Sequence, residues 1–168
     1  AMRAKVFDDW TEMKIKEHPN ALVLHIGCGM DSRYLRVGEK AKQWCDIDFP
    51  DVIEERKKYY ESSDNYRMIS CDASKAEQLE KLPDEEEAII ILDGISMYLK
   101  NQEVVTLFEI LQKKYHCVSI LMDVYTVFGA KASKYKNPVN GVGVTILQGI
   151  DDPHMVTANG NIRFLNEH

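Results

Sequence analysis

Apolar positions along the chain fall into two kinds of run. Short blocks at Ala21 to Ile26, Gln43 to Ile47, Tyr66 to Cys71, Ala88 to Leu92 and Cys117 to Val124 are too brief for ordinary helices. They read as strands, and the first, Ala21 to Ile26, suits one covered on both faces. Between them, apolar residues recur at helical spacing. In Arg3 to Glu17 these are Val6, Trp10, Met13 and Ile15, ahead of Pro19 and Asn20. Asp31 to Val37 supplies a short helix that Gly38 breaks. Pro50 suits a first helical turn and opens a helix to about Tyr60, with the charged run Glu54 to Lys58 as its solvated face. Ala73 to Leu82 reads as a helix stopped by Pro83. Asn101 caps another, with Val104, Val105, Phe108, Leu111 and Tyr115 on its apolar side. Val142 to Leu147 and Asn161 to Leu165 are two further candidate strands. This alternation predicts an α/β fold, a mostly parallel central sheet with helices on both faces, joined by right-handed crossovers.

In such a sheet, ligands bind outside the carboxyl ends of the strands, beside the first strand. Gly27 and Gly29 bracket Cys28 where that strand ends, and their missing side chains permit positive φ and a close approach to the main chain. Asp46 and Asp48 close the second strand, Asp72 the third, and Asp93 with Gly94 the fourth, while Asp123 lies near the end of the fifth. One such acid alone reads as a cap or loop residue. Their agreement at successive strand ends points to a crevice. Glycine spacing then separates two nucleotide cofactors. A dinucleotide fingerprint needs a third glycine in G-x-G-x-x-G, and Ser32 occupies that place. GxGxD after a strand, with an acid about twenty residues further on, suits S-adenosylmethionine instead. The acid would hold the ribose hydroxyls, the glycine turn would admit the methionine part, and Asp72 would receive the adenine amino group.

Composition narrows the picture. With 168 residues and 45% hydrophobic content, one domain with a single sizeable core is expected. A net charge of -6 weighs against nucleic acid as a partner and leaves a small molecule or a protein. No run is long enough to span a bilayer and the N-terminus lacks a signal-peptide pattern, so a soluble, cytoplasmic protein is expected. Cys28, Cys45, Cys71 and Cys117 show no CxxC or histidine spacing for zinc. They read as reduced, small residues, and no metal is expected. His25 reads as a strand histidine making an ordinary hydrogen bond, and His18, His116, His154 and His168 show no ligand or triad spacing.

The strings IGCGMDSRYLR, CDIDFPDVIEERK, ISCDAS and LDGISMYL, in this order and spacing, resemble the leucine carboxyl methyltransferase family. The likeness is to its bacterial, polyketide-type (tetracenomycin-like) O-methyltransferase branch. It runs from about Arg3 to the C-terminus and is strongest between Val23 and Leu99. The resemblance implies a Rossmann-like class I methyltransferase fold, S-adenosylmethionine as methyl donor and a carboxylate or hydroxyl of a small molecule as acceptor. It places Arg3 at the donor's carboxylate, Gly27 and Gly29 at the cofactor turn, and Asp48 at the ribose. Asp46 stands where the family usually has Glu and could share that duty. Asp72 matches the adenine-side aspartate, and Asp93 stands where the family typically has Glu, near the donor's ammonium. Asp31 and Arg33 read as a loop-ordering ion pair, and Tyr98 as a substrate contact or a core residue. The other functions weighed are a catalytically silent S-adenosylmethionine-binding module, a protein C-terminal carboxyl methyltransferase and an NAD-dependent oxidoreductase. The domain expected over 1–168 lacks the family's N-terminal helical extension and stops where members often continue. It is either a compact member or a piece of a longer one. The acceptor and the oligomeric state are not legible.

Overall fold

The computed structural model describes residues 2–127, 149–152 and 154. In chain order, the described elements are α1 (Met2–Glu17), β1 (Leu22–Ile26), α2 (Arg33–Val37), β2 (Gln43–Asp48), α3 (Pro50–Arg56), β3 (Tyr66–Ser70), α4 (Ala76–Leu79), β4 (Glu87–Leu92), α5 (Asn101–Lys114) and β5 (Cys117–Met122). Short 3-10 turns occupy Gly38–Lys40 and Ser96–Tyr98. Among the described residues the strands form one sheet in the order β3-β2-β1-β4-β5, and all its pairings are parallel. β1 is central. Its Leu24 is in register with Cys45 of β2 on one side and Ile90 of β4 on the other. The strand order reverses between β1 and β4, which is where an open parallel sheet leaves a crevice at its carboxyl edge.

Strand periodicity explains the two cores. Leu22, Leu24 and Ile26 point to one face of the sheet, where they join Val104, Leu107, Phe108 and Leu111 of α5. Val23 points to the other face, with Phe7 and Ile15 of α1, Trp44 and Ile89. All five β1 residues are buried, as the unbroken apolar run requires of a strand covered on both sides.

The structure revises several sequence-based boundaries and faces. The buried stripe of α1 is Phe7, Thr11 and Ile15, whereas Val6 and Met13 are 39% and 45% exposed. Thr11 can be buried because its hydroxyl donates to the Phe7 carbonyl at 2.7 Å. That bond removes the cost of an unpaired polar group, which a hydropathy pattern does not register. Only Ala76–Leu79 is helical in the segment expected to run from Ala73 to Leu82. Its first residues are held as a turn instead, since Asp72 Oδ1 accepts from both the Ser74 amide and hydroxyl, and Gln78 Oε1 accepts from the Asp72 amide. α3 ends at Arg56 rather than Tyr60, and the chain continues through Gly38 as a 3-10 turn. Asn101 is the first helical residue of α5, not its cap. The preceding Lys100 amide donates to Glu103 Oε2 at 2.8 Å, and Asn101 Oδ1 has no hydrogen-bond partner among the described residues. The candidate strands Val142 to Leu147 and Asn161 to Leu165 lie outside the described residues. No described helix is long and apolar enough to cross a membrane.

Candidate active site

The end of β1 turns sharply, with Gly27 at φ 73° and Gly29 at φ 50°. Such backbone is cheap only for glycine. The amides of Gly27 and Cys28 donate to the Ile47 carbonyl at 2.8 and 3.2 Å, so β2 holds the bend in place. Gly29 donates its amide to Asp48 Oδ2 at 2.7 Å, while Asp48 Oδ1 accepts from the Phe49 amide at 2.8 Å. The Asp48 carbonyl in turn accepts from the Cys71 amide at 2.8 Å, which ties the end of β2 to the segment leading to Asp72. A carboxylate has about four acceptor positions. Two at Asp48 are taken by backbone, which leaves acceptor capacity on a half-buried side chain.

The two glycines are required for different reasons. Among the described residues, a methyl group on Gly29 would meet nothing within 4 Å, so they leave this part of the bend open. On Gly27 it would stand 2.8 Å from Ile95 Cδ1. Gly27→Ala is therefore expected to destabilise the fold by at least about 1–2 kcal/mol from the left-handed backbone alone. Adding Ile95→Ala should recover only the steric part. Urea unfolding of the single and double variants measures both terms, and a single variant as stable as the wild type contradicts the assignment.

Behind the bend lies a buried charged anchor, and it corrects two sequence expectations. Asp46 is fully buried, with its carboxylate turned away from the crevice and spent on protein groups. It accepts from Trp44 Nε1 at 2.8 Å, Arg56 Nε at 3.0 Å, Arg56 Nη2 and the Tyr66 hydroxyl. No surface of it is left for ribose. Arg56, in the charged run expected to be solvated, is itself fully buried. Its Nη1 donates to the Gly29 carbonyl at 2.9 Å and its Nη2 to the Asp31 carbonyl at 2.7 Å. Arg56 thus grips the bend from behind, and Asp46 neutralises it. Burial pushes the Asp46 carboxyl up, but the adjacent His25 ring, the Arg56 guanidinium and the Tyr66 hydroxyl outweigh burial and hold it below the usual carboxylate range.

A second charged group lies on the β4 side. Arg33, also fully buried, donates to Asp8 Oδ1 and to Asp93 Oδ2, both at 2.8 Å, and stands 3.2 Å from Asp31 Oδ2. It therefore joins α1, the glycine loop and the end of β4, a wider role than the expected pairing with Asp31. Its Nη1 lies 3.2 Å from His25 Nε2. Because a guanidinium only donates, His25 must accept there and carry its proton on Nδ1. Arg3 Nε stands 3.1 Å from Asp93 Oδ1, and Arg3 Nη1 donates to Asp123 Oδ2 at 3.2 Å. The Arg3–Asp93 approach lacks hydrogen-bonding geometry, so the buried Asp93 Oδ1 has no hydrogen-bond partner among the described residues. Asp123 Oδ1 accepts from the Gly94 amide at 2.7 Å. Burial pushes the Asp123 carboxyl up, against the Gly94 amide and Arg3. Sequence reasoning noted Asp123 at its strand end without assigning it to the site. The signal that placed Asp48, Asp72 and Asp93 applied to it equally.

Parallel pairing puts Gly27, Asp48, Asp72, Asp93 and Asp123 along one edge of the sheet. Direct bonds connect Gly29 with Asp48, and Arg3 bridges Asp93 and Asp123. Asp72 keeps its side chain on its own turn through Ser74. Tyr98, half-buried, packs beside Met97 and Tyr125, and burial pushes its phenol up.

An all-parallel sheet of this order, with a glycine bend after β1 and an acid at the end of β2 joined to it, is a Rossmann-like arrangement, and the likenesses that follow make it a class I methyltransferase fold. A structure of an O-methyltransferase family protein from Burkholderia thailandensis superposes with a TM-score of 0.61 over 93% of this chain and 48% of that one, at 9% identity. The chain belongs to the leucine carboxyl methyltransferase family, whose model matches residues 1–112. It is 30% identical to the tetracenomycin polyketide synthesis O-methyltransferase TcmP of Streptomyces glaucescens over 152 residues, covering 90% of this chain and 56% of that protein. It is 32% identical to the S-adenosyl-L-methionine-dependent methyltransferase dpfgK of Gibberella zeae over 117 residues, covering 64% of this chain and 39% of that protein. The chain spans about half the length, or less, of these relatives.

Proposed function

We propose that the chain acts as an S-adenosylmethionine-dependent O-methyltransferase whose acceptor is a carboxylate or hydroxyl of a small molecule. The observation that carries this reading is the Gly29 amide held by Asp48 at the switch point of the sheet. The named activities of the family and of its two relatives support it.

The residues fit the donor. Among the described residues, the space in front of Gly29 is open, Asp48 retains acceptor capacity, and Asp93 Oδ1 is a buried oxygen with no hydrogen-bond partner. Asp48 would take the ribose hydroxyls, Asp93 the ammonium, Arg3 the carboxylate and Asp72 the adenine amino group, with Gly27 and Gly29 shaping the turn. Asp46 leaves this set and serves as an anchor. When bound, the donor supplies an electrophilic methyl group on a sulfonium. The chain's own contribution is to hold that group in one orientation, and alignment of two reactants can remove roughly 7–11 kcal/mol of a barrier. An acceptor carboxylate is already ionised at neutral pH and needs no base, whereas a phenol benefits from one. The Cys28, Cys45, Cys71 and Cys117 thiols are free, in keeping with action in the cytoplasm.

Calorimetric titration with S-adenosylmethionine, S-adenosylhomocysteine and NAD tests the proposal. Binding of the first two and not the third is expected, and saturable NAD binding alone overturns it. Transfer of labelled methyl to a panel of phenols and carboxylic acids then separates an enzyme from a module that only binds the donor.

A further inference from the structure

At the opposite edge of the sheet, where α1 ends and β4 and β5 begin, three ligand-type side chains meet. Glu87 and Cys117 are register partners at the first positions of β4 and β5, which directs both side chains to one face. His18 follows the last turn of α1. Its amide donates to the Lys14 carbonyl at 2.9 Å and its carbonyl accepts from the Ala21 amide at 3.0 Å, so the turn through Pro19 and Asn20 fixes its backbone. One nitrogen of His18, one carboxylate oxygen of Glu87 and Cys117 Sγ all lie within 4.8 Å of one another. All three residues are half-buried.

We propose that His18, Glu87 and Cys117 form a zinc site whose fourth ligand is water. In a tetrahedral site with bonds of about 2.0–2.1 Å, nitrogen and oxygen ligands stand roughly 3.3–3.4 Å apart. His18 Nδ1 and Glu87 Oε1 are already 3.3 Å apart. A zinc–sulfur bond of about 2.3 Å puts the thiolate roughly 3.6 Å from each of them. Cys117 reaches that position by a small movement of a side chain that is not packed shut. One thiolate, one imidazole and one carboxylate select zinc over magnesium or calcium, which prefer oxygen alone. The carbonyl end of α1 adds negative partial charge beside the cluster, which favours a cation. On binding, the Cys117 S–H bond breaks, its proton passes to solvent, and the sulfur lone pair forms the bond to zinc. The metal would clip the end of α1 to the sheet. The other end of the same helix carries Arg3 and Asp8, which hold Asp93 and Arg33 at the opposite edge.

An ordinary His18–Glu87 ion pair explains two of the three residues and takes up no metal. Titration of the metal-free chain with Co2+ distinguishes the two. We expect one equivalent to give the visible bands of a tetrahedral site together with a thiolate-to-cobalt charge-transfer band, both displaced by Zn2+. Zn2+ should also raise the melting temperature. His18→Gln, Glu87→Gln and Cys117→Ser should each weaken zinc by roughly tenfold or more, since loss of even an outer partner of a ligand costs that much. Cys117→Ser should abolish the charge-transfer band, and His116→Gln should leave binding unchanged. No cobalt spectrum, a band of full strength in both His18→Gln and Glu87→Gln, or dependence on His116 overturns the proposal. None of these outcomes bears on donor binding, so the methyl-transfer reading stands or falls separately.

Discussion

Asp46→Ala is expected to lower the unfolding free energy by about 3–5 kcal/mol, because it leaves the fully buried Arg56 guanidinium without its counter-charge. The loss should reach the candidate site as well, since Arg56 is the group that holds the Gly29 and Asp31 carbonyls. Asp46→Asn keeps the shape and removes the charge, and its behaviour with pH identifies the cause. The folded state holds the Asp46 carboxyl below its ordinary value. Its contribution is therefore fully present above the unfolded carboxylate pKa, about 3.9. It is lost as pH falls through the lower, folded value. The stability gap between wild type and Asp46→Asn should be widest near neutrality and close as the wild-type carboxyl protonates below about pH 4. Urea unfolding at neutral and acid pH, followed by the fluorescence of Trp44, whose indole bonds to Asp46, measures this gap. A gap that does not change with pH shows that the charge is not what matters.

Asp48→Ala is expected to weaken S-adenosylmethionine binding by about 1–3 kcal/mol, the worth of a charge-assisted hydrogen bond that loses its acceptor. That is about 5- to 150-fold in affinity. The structure adds a second consequence that strand-end position alone does not suggest. The same carboxylate accepts the Gly29 and Phe49 amides, so its removal also leaves the bend less ordered. Asp48→Asn separates the two, because one amide oxygen can still accept from Gly29 while the charge proposed to meet the ribose is gone. Calorimetry and thermal melting on both variants give the comparison. If both melt lower yet bind the donor as the wild type does, Asp48 is a loop cap and the ribose acid lies elsewhere.

β1 and β4 were legible because each is a short, buried apolar block with few alternative readings, and both match that pattern to within a residue. The helices were less so. α1 buries Thr11 and exposes Met13, since a local hydroxyl-to-carbonyl bond made the polar residue the better fit against the sheet. Hydropathy carries no trace of that bond. Arg56 shows the same limit at the candidate site. Among five consecutive charged residues from Glu54 to Lys58, nothing local marks the one that turns inward. Asp46 was misjudged for the mirror reason. It sits two residues before Asp48, on the same sheet face by alternation, and only the position of Arg56 shows that its carboxylate is already spent.

The order of short apolar blocks, the two glycines and the acids after the strands were set by local chemistry, which the amino-acid sequence by itself determines. These features sufficed to define a parallel sheet and the family to which the chain belongs. Which strand-end acid is fully buried, as Asp46 is, and which keep accessible surface was decided by contacts between residues far apart in the chain. Arg3 reaches Asp123, and Asp8 reaches Arg33. The His18, Glu87 and Cys117 cluster is of the same kind, since its members come from three separate segments and show no ligand spacing in the linear chain. A side chain's charge is encoded locally, but the cost of burying it depends on the partner that packing brings within reach.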